Sequence, residues 1–259
     1  MKDYKTLAET IYQRKSVRAF SEKRAEILEN DQDLLEKFET IPLIVDIKVK
    51  VKILKKEEIN NKRSTYCIAF YSEEKPLYLE NIGFIGQQID LELQSKGIGT
   101  CWWGMKKPKK EFKRVDGLNC IITMAAGYPK NAEIRKYPDG FQRKVIGDII
   151  VDTEPNPLIE AARIAPSAVN LQPWLIRKLE DKYEFYLRPP GSIMERMIKN
   201  MRHIDIGIAM SHLAIQAKAR GLEFSFGFDG RDIKQGKFIA SIITRIDLNL
   251  PGIPQHHFI

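Results

Sequence analysis

The sequence predicts an α+β fold, and three observations carry this prediction. Apolar residues recur every three or four positions over residues 82–93 and 206–217, which is the spacing of an amphipathic helix. Short runs rich in β-branched and aromatic residues at 66–71 and 118–126 have the pattern of strands. Elsewhere, helix-like and strand-like signals alternate along the chain. The composition fits a globular protein, because 43% of the 259 residues are hydrophobic and 29% are charged.

Each further element rests on its own local pattern. Residues 4–13 predict a first helix, and residues 28–38 predict a second because their apolar positions lie on one face. Residues 45–54 alternate apolar residues with lysines, as a half-exposed strand does. Both long helices are expected to end at a glycine, Gly97 or Gly221. The remaining predicted strands are 100–103, 224–226 and 238–246.

A weak internal repeat relates the two long helices. The repeat has an offset of 124 residues, as in 207 − 83, and three pairs correspond at this offset: Gly83 with Gly207, Gly97 with Gly221, and Asn81 with Asp205. We therefore predict two similar halves, residues 1–151 and 152–259, which meet at the proline-containing segment 152–157. Chance similarity between two amphipathic helices is the alternative.

Cysteine usage and hydropathy predict a cytoplasmic protein that does not bind a membrane. No stretch approaches about 18 uninterrupted apolar residues, and residues 1–16 alternate charged with apolar residues. The three cysteines lack the spacing of a metal site or a CxxC motif, which suits a reducing compartment.

The net charge of +8 predicts attraction to anions, which leaves nucleic acid, acidic lipid and a phosphate-bearing small molecule as candidates. No RNA-binding or helix-turn-helix signature is present, so we expect no nucleic-acid partner. The chain also lacks HExxH, P-loop, GxGxxG and GxSxG motifs, which argues against a metalloenzyme and a serine hydrolase.

The segment Arg14-Lys15-Ser16-Val17-Arg18 is a candidate phosphate-binding site. If this segment is extended, Arg14, Ser16 and Arg18 project from one face. Arginine suits a phosphate because it stays charged and donates paired hydrogen bonds to phosphate oxygens. A solvated basic segment after the first helix is the alternative interpretation.

Residues 165–174 form a second candidate site, with the sequence Ala-Pro-Ser-Ala-Val-Asn-Leu-Gln-Pro-Trp. Pro166 and Pro173 restrict the backbone on both sides of the polar residues. Ser167 and Asn170 could therefore present a donor and an acceptor to the edge of a flat heterocycle. A helix end followed by a core tryptophan is the equally weighted alternative.

Together these motifs resemble the nitroreductase family of flavoproteins. Two further motifs carry the resemblance, namely segment 97–104 with its glycines and tryptophans and the Gly-Tyr-Pro segment 127–129, which Arg143 and Lys144 follow. The resemblance covers nearly the whole chain. It implies a nitroreductase-like fold, with central antiparallel or mixed sheets flanked by helices.

The resemblance also implies a role for each matching residue. In the family, the first motif grips the phosphate of FMN and the Ala-Pro-Ser motif lies along the isoalloxazine ring. The residues implied at the phosphate are Arg14, Lys15, Ser16 and Arg18, with Arg143 or Lys144 adding charge. The residues implied at the ring are Pro166, Ser167 and Asn170, with Trp103 and Gly104 near the flavin N5.

One departure from the family pattern concerns the spacing of the two motifs. Ser167 follows Ser16 by 151 residues (167 − 16), whereas ordinary members separate these motifs by a few dozen residues. Residues 40–44 occupy the usual place of the second motif but contain neither serine nor asparagine. Ordinary members bind flavin between two subunits, so the resemblance implies a fused pseudo-dimer that acts as a monomer and binds one FMN.

The function that the resemblance implies is an FMN-dependent oxidoreductase, which takes hydride from NAD(P)H and reduces a small organic electron acceptor. No catalytic side chain is expected, because the cofactor carries the chemistry. A non-catalytic flavin-binding or sensor protein of the same fold is the alternative.

Overall fold

The computed structural model describes residues 3–30, 36, 38–59, 64–104, 108–131 and 140–246. Two long helices pack against each other, and each also packs on an antiparallel sheet. The helices are α1 (Tyr4–Gln13), α2 (Glu26–Asn30), α3 (Tyr78–Ser95), α4 (Pro157–Arg163), α5 (Ile193–Met197) and α6 (Lys199–Ala219). The strands are β1 (Val49–Lys55), β2 (Tyr66–Ser72), β3 (Gly99–Trp103), β4 (Arg114–Val115), β5 (Leu118–Gly127), β6 (Trp174–Leu179), β7 (Lys182–Leu187), β8 (Leu222–Gly227) and β9 (Lys237–Ile246).

The strand order of the first sheet is β1-β2-β5-β3, with β4 paired to β5, and that of the second sheet is β6-β7-β9-β8. All of these pairs are antiparallel. In each sheet, the strand that comes last in the chain is an inner strand. Strand β5 lies between β2 and β3, and β9 lies between β7 and β8 in the same way. Each sheet also has a shift of register at a Phe-Tyr pair, between Phe70 and Tyr71 in β2 and between Phe185 and Tyr186 in β7.

One hydrophobic core is continuous across both sheets and the two long helices. It includes Phe70 of β2, Phe84 of α3, Trp174 of β6 and Met210 of α6, all of them buried. The burial of α3 on nearly every face explains why its sequence is apolar beyond a single stripe. Within the part of the chain that the structure describes, no helix combines the length and apolar character that a membrane span requires.

The two long helices approach closely at one glycine from each. A side chain at Gly83 of α3 would overlap the carbonyl oxygen of Ile204, and a side chain at Gly207 of α6 would overlap the carbonyl oxygen of Glu80. Because the backbone of one helix occupies the space that a Cβ of the other would need, only glycine fits at either position. These two residues therefore set the distance between α3 and α6.

Most predicted elements are confirmed, and the α+β fold with them. Helices α1, α3 and α6 and strands β2, β3, β5, β8 and β9 coincide with predicted elements or extend them. Strand β1 begins at Val49 rather than at residue 45, because the backbone of Ile44 and Val45 bonds to the side chain of Asn81 instead of to a strand. Of the predicted helix 28–38, α2 ends at Asn30, and residues 31–35 and 37 lie outside the described residues.

Five elements were not predicted from the sequence, namely β4, β6, β7, α4 and α5. Strands β6 and β7 form a hairpin that turns through Glu180 in a left-handed conformation, with φ at 53°. Neither residue of the turn is a glycine, so the usual hairpin signal is missing. Helix α4 begins at Pro157 with Asn156 as its cap, directly after the predicted boundary segment.

Substitution of Gly207 by alanine tests the helix crossing. Because the overlapped atom belongs to the backbone of a buried helix, we expect Gly207→Ala to reduce the free energy of unfolding by about 1–3 kcal/mol or more. Urea denaturation of the purified variant measures this loss. Gly147→Ala is the matched control, because a Cβ there meets no atom within 4 Å. Equal stability of the two variants would contradict the close crossing.

Candidate functional site

A cavity of about 280 Å³ lies where four parts of the fold meet. Its walls are the segment after α1, strand β3 with Gly104 after it, the loop 166–169 and one face of α6. Among the sequence-predicted site residues, the cavity brings together Ser16, Arg18, Gly104, Pro166 and Ser167. The two candidate motifs therefore share one cavity although they lie far apart in the sequence.

The segment after α1 is extended and runs beside β3. Ser16 pairs with Thr100 in the parallel direction, and the Val17 amide donates to the Thr100 carbonyl oxygen at 2.8 Å. Val17 packs against Gly99, so the alternate side chains of Ser16 and Arg18 turn toward the cavity. Arg18 is exposed, and no described acidic residue pairs with its guanidinium. Among the residues that the structure describes, Arg18 is therefore a cation without an acidic partner at the rim of the cavity.

Arg14 occupies a different environment from the one that the resemblance implies. Its Nε lies 2.7 Å from Oδ2 of Asp90, and the two side chains are 3% and 0% exposed. Its Nη2 also donates to the Ser16 hydroxyl at 3.2 Å. The described residues that line the cavity do not include Arg14. A buried carboxylate therefore already compensates the charge of Arg14, and Arg14 orients Ser16. A contact of Arg14 with phosphate stays a prediction.

Asp90 is the centre of a buried polar network. Besides Arg14, it accepts hydrogen bonds from Gln87 at 3.0 Å, from Gln94 at 2.7 Å and from the Thr100 hydroxyl. Gln94 also accepts the backbone amide of Lys15, whose side chain is exposed. Lys15 is not among the described residues that line the cavity.

Strand β3 contributes Trp102 rather than Trp103 to the cavity. Because adjacent strand residues face opposite sides of a sheet, Trp103 packs on the far side against a second apolar cluster that includes Phe112. The side chain of Trp103 therefore faces away from the cavity, and its expected place near the flavin N5 stays a prediction. Gly104 lines the cavity, and a Cβ on it would lie 2.5 Å from Cε of Met201.

The loop 166–169 forms the wall opposite β3. The Ser167 hydroxyl accepts the Gln172 amide at 2.9 Å, which closes the loop on itself. Val169 and Asn170 are left-handed, with φ at 46° and 58°. A β-branched residue is rarely left-handed, so the surrounding contacts hold this loop in a strained shape. Val169 is 68% exposed and lies at the rim of the cavity.

Asn170, Arg143 and Lys144 support this loop from behind. The Arg143 guanidinium donates to Oδ1 of Asn170 at 2.8 Å and to the Ala165 carbonyl oxygen at 2.9 Å. The Lys144 ammonium donates to the Gln172 carbonyl oxygen at 3.3 Å, and burial lowers its pKa. None of the three is among the described residues that line the cavity, so their expected flavin contacts are not reproduced here.

Asp205 of α6 is the site residue that the sequence analysis did not select. It lines the cavity, is 3% exposed, and accepts the Ala168 amide at 3.0 Å. Burial raises the pKa of its carboxyl group to about 8. An acidic residue within the apolar sequence of a buried helix is the signal that could have identified it.

The raised pKa makes a prediction about stability. The folded state holds the Asp205 proton up to about pH 8, whereas an unfolded aspartate releases it near pH 4. Stability that depends on this proton is therefore lost as the pH rises between these two values. In Asp205→Asn this dependence is absent, so the Tm of the variant minus that of the wild type should increase from pH 5 to pH 8 and then level off.

Thermal unfolding of both proteins at several pH values measures this difference. Asp152→Asn, at an exposed left-handed position, is the matched control for the removal of one charge. A Tm difference that stays constant across the range would contradict a buried carboxyl group at Asp205.

Comparison with known proteins gives a consistent result. A putative nitroreductase from Thermotoga maritima superposes with a TM-score of 0.61 at 23% identity, covering 92% of this chain and 93% of that one. A nitroreductase family protein from Clostridium difficile gives a TM-score of 0.45 at 15% identity, covering 57% and 98%. A nitroreductase with bound FMN from Desulfitobacterium hafniense gives a TM-score of 0.42 at 16% identity, covering 56% and 99%. A comparison with curated proteins found no match.

The Thermotoga structure supports the same fold for this chain. The family model described as "Putative TM nitroreductase" matches residues 6–217, which is well over half of the sequence. The resemblance to nitroreductases is thereby confirmed, and the chain belongs to this nitroreductase family.

Proposed function

We propose that this protein is an FMN-dependent oxidoreductase, which accepts hydride from NAD(P)H and reduces a small organic acceptor. One observation carries the proposal. Ser16 and Arg18, at the end of one motif, and Pro166 and Ser167, at the start of another, line a single cavity. In the family these motifs hold the two ends of FMN, so their meeting in one cavity supports a flavin site.

The residues of the cavity fit the chemical groups of FMN. The Arg18 guanidinium and the Ser16 hydroxyl are suitable donors for a phosphate, because the positive charge of Arg18 is not already paired. Farther along β3, the walls are apolar or flat, with Trp102, Gly104 and Pro166. A cavity that is charged at one end and apolar along its walls matches a phosphate joined to a planar ring system.

FMN and the side chains of the cavity have different roles in this proposal. Bound FMN supplies the hydride chemistry, and the side chains bind it, orient it and exclude water. Asp90 and Arg14 hold the N-terminal segment against β3, so that Ser16 and Arg18 keep their places. The loop 166–169 covers the opposite side of the cavity.

A second cavity favours an enzyme over a flavin-binding sensor. This cavity, of about 400 Å³, shares Gly104, Ile122, Met201 and Ile204 with the first. It adds polar groups, such as Asn119 and Asn200, that the first cavity lacks. We propose that NAD(P)H and the acceptor take turns in this second cavity, next to the ring. A sensor would need no such adjoining space.

We further propose that the chain is a fused pseudo-dimer with halves 1–151 and 152–259. Two contacts at the helix crossing support this proposal: Gly83 lies against the Ile204 carbonyl, and Gly207 lies against the Glu80 carbonyl. The offset of 124 residues relates Gly83 to Gly207 and Glu80 to Ile204, so each contact is the counterpart of the other. Reciprocal contacts of this kind are typical of an interface between two identical subunits. The shared strand order of the two sheets supports the same interpretation.

One more pair of contacts follows the same offset. Asn81 accepts the Ile44 amide at 2.7 Å, and Asp205 accepts the Ala168 amide at 3.0 Å. The segment around Ile44 therefore corresponds to the Ala-Pro-Ser loop of the other half, although it has lost the serine. A chain that contains its own partner needs no second copy. Its three cysteines are buried and form no disulfide, which suits the cytoplasm.

The proposal predicts one FMN per chain, because the chain has only one copy of each motif. The flavin absorbance per polypeptide after saturation and gel filtration gives this ratio. A ratio near one supports the fused pseudo-dimer with a single site. A ratio near two would contradict the single site, and no retained flavin would contradict the cofactor.

The proposal also predicts unequal roles for the two arginines. Arg18→Ala removes a charge-assisted hydrogen bond of roughly 1.5–3 kcal/mol, so FMN affinity should fall about 10- to 100-fold. Riboflavin, which lacks the phosphate, should bind the variant nearly as well as it binds the wild type. Lys234→Ala, which removes an exposed charge between β8 and β9, is the matched control.

Arg14→Ala should act through stability instead, because it leaves Asp90 buried without its cation. We expect a lower free energy of unfolding and a loss of affinity for FMN and riboflavin alike. Fluorescence titration with both flavins separates the two arginines. Equal losses for both flavins in Arg18→Ala would contradict a phosphate contact.

A further inference from the structure

Asn81 and Asp205 hold equivalent places but differ in chemistry. Each side chain accepts a backbone amide, from Ile44 in one case and from Ala168 in the other. Asn81 shows that a neutral amide is sufficient for this structural task. The acid at position 205 therefore needs a separate explanation.

The two residues differ in their position relative to the cavity. Asp205 lines the cavity proposed for the flavin, whereas Asn81 does not. Both residues are buried, and an unpaired carboxylate is costly to bury. A buried acid that faces a ligand cavity is a pattern typical of functional groups.

The charged groups around Asp205 leave its carboxyl group without a direct ion pair. Arg202, one helical turn earlier on α6, donates to the Arg188 carbonyl oxygen at 2.6 Å and has Glu195 of α5 at 3.7 Å. From the other walls, Arg18 and Cys101 face the same cavity. Among the described residues, none of these cations lies within ion-pair distance of the Asp205 carboxyl.

Burial is consequently the largest influence on the pKa of Asp205, and it favours the protonated carboxyl over the carboxylate at neutral pH. Both carboxyl oxygens lie within hydrogen-bond distance of the Ala168 amide, at 3.0 and 3.1 Å. In a neutral acid the carbonyl oxygen can accept this amide while the other oxygen carries a proton. The proton is a hydrogen-bond donor, which an aspartate cannot offer when ionised.

We infer that Asp205 contributes a protonated carboxyl group to the cavity, where it donates a hydrogen bond to a ring heteroatom of the bound flavin. This inference rests on the proposed flavin site. It adds a contact from α6 to the contacts that the two motifs imply.

The pH dependence of FMN binding tests this inference. Because the donating proton is lost around pH 8, wild-type affinity should fall by about twofold from pH 7 to 8 and by about 30-fold from pH 7 to 9.5. In Asp205→Asn the side-chain amide both accepts and donates at every pH, so its affinity at pH 9.5 should equal its affinity at pH 7. Other groups that titrate nearby, such as Cys101 and Lys144, are still present in this variant.

Infrared difference spectra give a second measurement that needs no activity. The flavin-free wild type at pH 7 should show the C=O band of a protonated carboxyl group, which Asp205→Asn lacks, and FMN should shift this band. Wild-type binding without pH dependence, the same dependence in Asp205→Asn, or a band that FMN leaves unchanged would overturn the inference alone. Failure of the wild type to bind FMN at any pH would overturn the proposed function as well.

Discussion

The close crossing of α3 and α6 is the contact on which the cavity depends. Gly83 and Gly207 let the two backbones touch, and this distance places the elements that follow each helix. Strand β3 leaves α3 through the left-handed Gly97, and Asp205 lies on α6 beside the crossing. Because β3 follows α3 directly and Asp205 lies on α6, a wider crossing would move these two parts of the cavity wall apart. The single core across both sheets makes such a change costly.

Electrostatics assigns different tasks to residues of one motif. Asp90 is fully buried and compensates the positive charge of Arg14. This ion pair therefore holds the N-terminal segment against α3 and β3. Arg18, two positions beyond Ser16, has no acidic partner among the described residues. A buried ion pair adds little net stability, but the loss of one partner is expensive. The pair therefore fixes geometry, and Arg18 supplies the charge that a phosphate needs.

The sequence could predict which motifs meet, but not how their side chains are oriented. The resemblance of the two motifs to those of nitroreductases implied that Ser16 and Ser167 belong to one site. Trp102 faces the cavity in place of Trp103 because the pairing of β3 with β5 sets which face each residue occupies, and local sequence does not encode that register. Asn170 turns away because the loop is left-handed at this point.

Partners that are distant in sequence account for the other differences. Arg14 meets Asp90 across 76 residues of chain, and a motif gives no information about such a partner. Asp205 was not predicted as a site residue, because its burial beside a cavity can be recognised only in the folded chain. The two glycines of the proposed repeat, by contrast, could be recognised in the sequence, because close helix packing demands glycine at both positions.

A crystal structure of the protein grown with FMN is the most direct test of the central claim. The account predicts density for one flavin per chain, with its phosphate at Ser16 and Arg18 and its ring between Gly104 and Pro166. Asp205 should lie within hydrogen-bond distance of the ring. Flavin density elsewhere on the chain, or between two separate chains, would contradict the account.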